Sequence, residues 1–177
     1  MILTIRLEVA LRETLAFSSR DLVTRPTGAA VRGHIQRAIS AAVAPTTRLD
    51  FADVGLMDFS CADEVVAKLL QAVEPGGYVV LSNLDETQAE AIDYVLERQD
   101  LAVAALPRHG APCLLGRVSP DLIDAFAAIH TTGSGDATRL ADHLSWSVER
   151  AADALQALAL RRLVVAASGT FSPLPLQ

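Results

Sequence analysis

The residue pattern predicts an α/β chain that gives way to a small, mostly helical module at its C-terminal end. Three observations carry this. Strand-like apolar runs alternate with amphipathic helical patterns as far as residue 116, as in a sheet with helices packed on it. After Arg117-Val-Ser-Pro120 the pattern becomes helical. The chain then closes on two short apolar runs around Ser168-Gly169-Thr170. Residues 1–117 are therefore expected as an α/β domain and residues 118–177 as a second, smaller one.

Leu3, Ile5, Leu7 and Val9 alternate with Thr4, Arg6 and Glu8, which predicts a half-buried strand. A second short strand is expected at Asp21–Thr24, ending at Arg25-Pro26. Thr27 suits a helix N-cap, and the helix after it would bury Val31, Ile35, Ala38 and Ile39 until Pro45 stops it. Thr47–Phe51 reads as a strand, and a helix from about Ser60 to Val73 follows, with Ala62, Val65, Val66, Leu69 and Leu70 inward. Glu64 and Lys68 stand i,i+4 in the favoured order, on what the spacing marks as the wet side. Glu74-Pro-Gly-Gly77 is a turn. Tyr78–Leu81 is a continuous apolar run, as expected for a strand covered on both faces. Asp85 with Gln88, or Thr87 with Glu90, can open the next helix through a capping box. Leu101–Leu106 and Pro112–Leu115 would pair as a hairpin at a sheet edge.

In the tail, Ser119-Pro120 is an N-cap followed by Pro in the first turn. The helix it opens would bury Leu122, Ile123, Phe126 and Ala127. Thr132-Gly-Ser-Gly135 breaks it, Asp136 caps a short helix to His143, and Ser147 caps a third that would bury Val148, Ala151, Ala152, Leu155 and Leu158. Three short helices closed by a hairpin make a winged helix-turn-helix pattern.

Composition narrows the function classes. The chain has 177 residues, 51% of them hydrophobic and 20% charged, and a formal net charge of -6. Such a chain has ample apolar surface for a core and is not disordered. An acidic balance argues against tight, non-specific binding to nucleic acid or to an anionic membrane. No apolar stretch approaches the roughly 20 residues of a membrane span, and the charged N-terminus lacks a signal peptide's apolar block, so a cytoplasmic location is expected. Cys61 and Cys113 are too few for a disulfide framework.

Residues 21–105 resemble the STAS-like family, relatives of the anti-sigma-factor antagonist domains. The resemblance is carried by TRPTGAAVRGHIQRAI (Thr24–Ile39) and LDFADVGLMDFSCADEVVAKLL (Leu49–Leu70). A strand ending in Asp-Phe, a loop with a second Asp, and a helix entered through Asp58-Phe-Ser60 form that family's central feature. The resemblance implies a non-enzymatic bacterial regulatory protein, active in signal transduction or transcription control, that docks on a protein partner. Such a partner is often a histidine-kinase-type ATPase that is also an anti-sigma factor. Family members carry a regulatory phosphoserine at the mouth of this helix. That position falls on Phe59, with Ser60, the candidate phosphosite, directly after it. The expected docking set is Asp58, Phe59, Ser60, Asp63 and Glu64, with Phe59 as an apolar anchor among polar groups.

Residues 120–174 resemble the winged helices of bacterial regulators, which makes a DNA-binding transcriptional regulator the first alternative. Arg150, Arg161 and Arg162 are the candidate DNA contacts. Against it, the segment from Ser119 onward carries four arginines and six carboxylates, and carboxylates facing phosphates oppose association. Dimerisation, or binding of a second protein, suits this charge better.

A metal-dependent enzyme using Asp50, Asp53, Asp58 and Asp63 is the second alternative, but their spacing matches no calcium loop. Cys61 with His34, His109, His130 or His143 has no local signature of a nucleophile–base pair. A helix dipole at Cys61 would lower its pKa and favour redox chemistry. Thr24-Arg25-Pro26-Thr27-Gly28 lacks the glycine-rich phosphate-binding pattern. Trp146 is expected in the C-terminal core. No catalytic residue, cofactor or metal is assigned.

Overall fold

The computed structural model describes residues 1–16 and 18–176. Five strands form one sheet in the order of the chain: β1 (Ile2–Arg6), β2 (Thr46–Asp50), β3 (Tyr78–Leu84), β4 (Ala102–Pro107) and β5 (Cys113–Gly116). The first four run parallel, and β5 returns antiparallel to β4 as the edge hairpin. The helices between strands are α1 (Leu7–Thr14), α2 (Arg25–Ala41), α3 (Phe59–Ala62), α4 (Lys68–Ala72) and α5 (Glu86–Arg98). A π-helical turn, Asp63–Ala67, joins α3 to α4 without a break.

The pleat sends alternate residues to opposite faces. Leu49, Val79, Leu81, Val103, Ala105 and Leu115 point into a core shared with α1 through α5. Val80 and Ala104 point the other way, with Tyr78, Ala102, Leu106 and Leu114 beside them, into a second core. That second core is completed by α6 (Pro120–Thr132), α7 (Ala137–Leu144) and α8 (Val148–Leu160), and by a hairpin of β6 (Val164–Ala167) and β7 (Thr170–Pro173). Both faces of β3 are thus covered, which is why Tyr78–Leu81 is apolar without alternation.

Local capping works where the side chains suggest it. Asp85 accepts from Gln88 N while the Gln88 side chain accepts from Asp85 N, a complete capping box. Ser119, Asp136 and Ser147 each accept from the backbone of the third residue on. Gly133, at φ 78°, ends α6 in the left-handed conformation that glycine adopts freely.

Four local readings differ from the structure. The expected strand through Val9 stops at Arg6, and α1 starts at Leu7. Leu7, Ala10 and Leu11 are buried at helical spacing, and Leu7 is the residue that fits both this stripe and the alternation before it. Asp21–Thr24 contributes a single bridge, Leu22 to Met57, rather than a strand. The next helix starts at Arg25, and the Thr24 hydroxyl turns to the Thr27 hydroxyl at 3.1 Å. Ile123, Ala127, Val148 and Ala152 are exposed, because the buried stripes of α6 and α8 run through Leu122–Ala125–Phe126–Ile129 and Ala151–Ala154–Leu155–Leu158.

Two arginines after α8 hold the C-terminal helices to the sheet. Arg161 donates to the carbonyls of Arg117 (2.6 Å) and Asp100 (3.2 Å), and Arg162 to that of Val73 (3.0 Å). Among the described residues, no helix is long and apolar enough to cross a membrane.

Candidate functional site

Asp58 organises the mouth of α3. Its Oδ1 accepts from Cys61 N at 2.8 Å and from the Ser60 hydroxyl at 2.7 Å. Its Oδ2 accepts from Thr24 N at 2.9 Å, tying the entry of α2 to the entry of α3. Burial alone would push the Asp58 carboxyl up. The N–H groups of Thr24 and Cys61 and the Ser60 hydroxyl outweigh it and hold the group below the ordinary range. The Ser60 hydroxyl is therefore already engaged, and a phosphate on it would face the Asp58 carboxylate.

Held by this cap, Phe59 projects outward. It is 56% exposed. Its ring lies 4.7 Å from that of Tyr94 on α5, tilted by 36°. Tyr94 is itself 45% exposed, and the Arg98 guanidinium covers its ring 3.3 Å from the centroid. Leu56, on the loop leading to the mouth, and Val23, before α2, are also exposed. The Leu22–Met57 bridge holds those two segments side by side. Phe59 and Tyr94 thus form an exposed aromatic pair at the mouth of α3.

Behind it lies a charge cluster. Glu64 is buried, only 3% exposed, and not on the wet side of its helix. Arg25 reaches it at 2.8 Å and Arg32 at 3.1 Å, and the Lys68 ammonium completes the set. Asp63 pairs with Arg25 at 2.6 Å and accepts from Gln99 at 2.8 Å. Burial works to raise both carboxyls. For Glu64 the Lys68, Arg25 and Arg32 side chains reverse it, and for Asp63 those of Arg25 and Gln99, so both sit low. Glu64 thus supports the mouth from beneath instead of presenting its charge to a partner. Gly28 allows α2 to come this close: a Cβ there would lie 2.9 Å from Glu64 Cβ and 3.1 Å from Cys61 Cα.

Cys61 is buried and its thiol donates to Thr24 O at 3.1 Å. Burial, and then the nearby Asp58 carboxylate, push it up to about 12, opposite to the direction a helix dipole would impose. The acidic residues of the metal reading disperse. Asp50 accepts from Ala52 N and from the Asn83 side chain, Asp53 pairs with Arg6, and Asp58 and Asp63 act as described. Among the described residues, no three His, Cys, Asp or Glu side chains converge as a metal site.

The three candidate DNA contacts also have partners within the chain. Arg150 makes a two-pronged pair with Asp121 (2.6 and 2.9 Å) and lies over the Trp146 ring. Arg161 and Arg162 are the ties to the sheet. Trp146 packs partly against the second core.

Sequence reasoning missed Tyr94, Arg25, Arg32 and Gln99. Tyr94 had one available signal: an aromatic on the polar face of a helix, between Asp93 and Glu97. The others act across 32 to 39 residues of chain and leave no local mark. No protein-family model matches the chain, and a search of curated proteins returns no match.

Proposed function

We propose that this is a non-enzymatic bacterial regulatory protein of the cytoplasm that works by docking a protein partner on the mouth of α3. One observation carries the reading: Phe59 and Tyr94 stand together in solvent on a rim that Asp58 and the buried Glu64 cluster hold rigid. Exposed aromatics on a preorganised support are the usual anchors of protein interfaces. On the STAS-like resemblance the partner class is a histidine-kinase-type ATPase or an anti-sigma factor. In the same reading the C-terminal helices and hairpin are a winged helix used for protein contact or dimerisation. Its third helix exposes Val148 and Leu160 beside Glu149 and Asp153, a surface poor in free cations.

The test compares wild-type and Phe59→Asp protein in affinity purification from the source cell, read by mass spectrometry. A partner recovered with the wild type and lost with the variant supports the reading, and a kinase-like ATPase or anti-sigma factor among the losses supports the class. Equal recovery by the two proteins, with the variant folded, overturns it.

A further inference from the structure

We propose that the Phe59–Tyr94 surface takes a partner segment whose apolar side chains are flanked by lysines or arginines. This rests on the docking reading above and adds the partner's chemistry.

Helix α5 carries a stripe of carboxylates. Glu86, Glu90, Asp93 and Glu97 stand at i, i+4, i+7 and i+11, the spacing of one helix face. Tyr94 flanks that face on the side of α3, where it meets Phe59. Carboxylates three or four residues apart repel and destabilise the helix that carries them, by about 0.2–0.5 kcal/mol a pair. Glu97 lies in the last turn, where the helix dipole disfavours an anion. Only Glu86, in the first turn, is favourably placed. Helix stability therefore does not account for this stripe.

Neighbouring cations do not account for it either. Among the described residues, Glu86, Glu90 and Glu97 have no ion-pair partner, and Asp93 accepts from Gly116 N. Arg98, on the same helix, is turned onto the Tyr94 ring and donates to Tyr94 O at 3.1 Å. Arg25 and Lys68 are committed to Glu64. Arg108 borders the cleft beside Glu86, Glu90 and Asp93 but donates to Ala52 O at 2.9 Å. Arg25 and Lys68 are thus spent behind the rim, Arg98 lies flat on the Tyr94 ring, and the α5 carboxylates stand beside it without a cation.

An apolar patch beside a one-sign stripe selects a partner with apolar anchors and the opposite charge on its rim. Such pairing steers encounter and rejects wrong partners more than it deepens affinity. It is also weakened by salt, because the carboxylates are exposed.

Two peptides of about 16 residues test this. They share one Leu/Ile face, and one carries Lys and Arg on its flanks where the other carries Glu and Asp. Each is titrated by fluorescence anisotropy into wild type, Phe59→Asp and the triple variant Glu86→Gln/Glu90→Gln/Glu97→Gln, at low and at 0.5 M salt. Circular dichroism and thermal unfolding verify that both variants fold.

The wild type is expected to bind the basic peptide at least tenfold more tightly than the acidic one, with the gap closing in high salt. The triple variant should lose the preference and keep residual binding, and Phe59→Asp should lose both. Equal affinity for the two peptides, or preference for the acidic one, sinks the charge inference while dependence on Phe59 still upholds the docking reading. Binding that ignores Phe59→Asp sinks the docking reading itself. Failure of both peptides to bind wild type counts against the inference as well.

Discussion

Arg162 donates its guanidinium to the carbonyl of Val73 at 3.0 Å, joining the end of α8 to the turn before β3 across 89 residues of chain. Its neighbour Arg161 does the same for the carbonyls of Arg117 and Asp100. Two residues that read as nucleic-acid contacts in the sequence are thus fasteners between the sheet and the C-terminal helices.

Removing the fasteners should loosen that joint. Arg161→Ala/Arg162→Ala is expected to lose about 2 kcal/mol, the scale of hydrogen bonds from charged donors, or roughly 4–8 °C in Tm for a chain of this size. Thermal unfolding measures it. An unchanged Tm would mean that the apolar contacts of Val80 and Ala104 hold the joint alone.

Gly28 sets the spacing of α2 and α3. Alanine would ordinarily favour a helix interior by about 1 kcal/mol, yet the added methyl would press on Glu64 Cβ and Cys61 Cα. Overpacking of this kind costs about 1–3 kcal/mol. Gly28→Ala should therefore destabilise in urea unfolding, and a stabilised variant would refute the close approach.

The Glu64 cluster should make stability depend on acid. Asp58, Asp63 and Glu64 titrate lower folded than their ordinary values of 3.8, 3.8 and 4.5. Their contribution is complete above about pH 5 and is lost as pH falls through and below that range. Glu64→Gln should cost about 2 kcal/mol at pH 7, where it removes the buried carboxylate that Arg25, Arg32 and Lys68 share. The gap to wild type should shrink toward pH 3, as urea titrations at both values would reveal. A gap independent of pH contradicts the ion cluster.

Cys61 should be inert. With its thiol pushed up to about 12, almost no thiolate exists at pH 8, and burial blocks access. Iodoacetamide applied to the native protein should spare Cys61 and modify it only after denaturation, as peptide mass spectrometry can follow. Prompt native labelling would return Cys61 to consideration as a redox group.

What the sequence by itself determined are features whose partners lie within one helical turn or one pleat. The caps at Asp85, Ser119, Asp136 and Ser147, the β4–β5 hairpin and the doubly covered run Tyr78–Leu81 all follow from neighbours a few residues away. The outward placement of Phe59 follows the same logic, because Asp58 capping Cys61 N orients the first turn of α3. Only the tertiary structure decided whether Leu7 closes a strand or opens a helix, since that residue fits both periods. It also decided that Glu64 is buried, because Arg25 and Arg32 arrive from a helix more than thirty residues upstream and make that burial tolerable. And it engaged Arg161 and Arg162 with carbonyls from three distant segments of the chain.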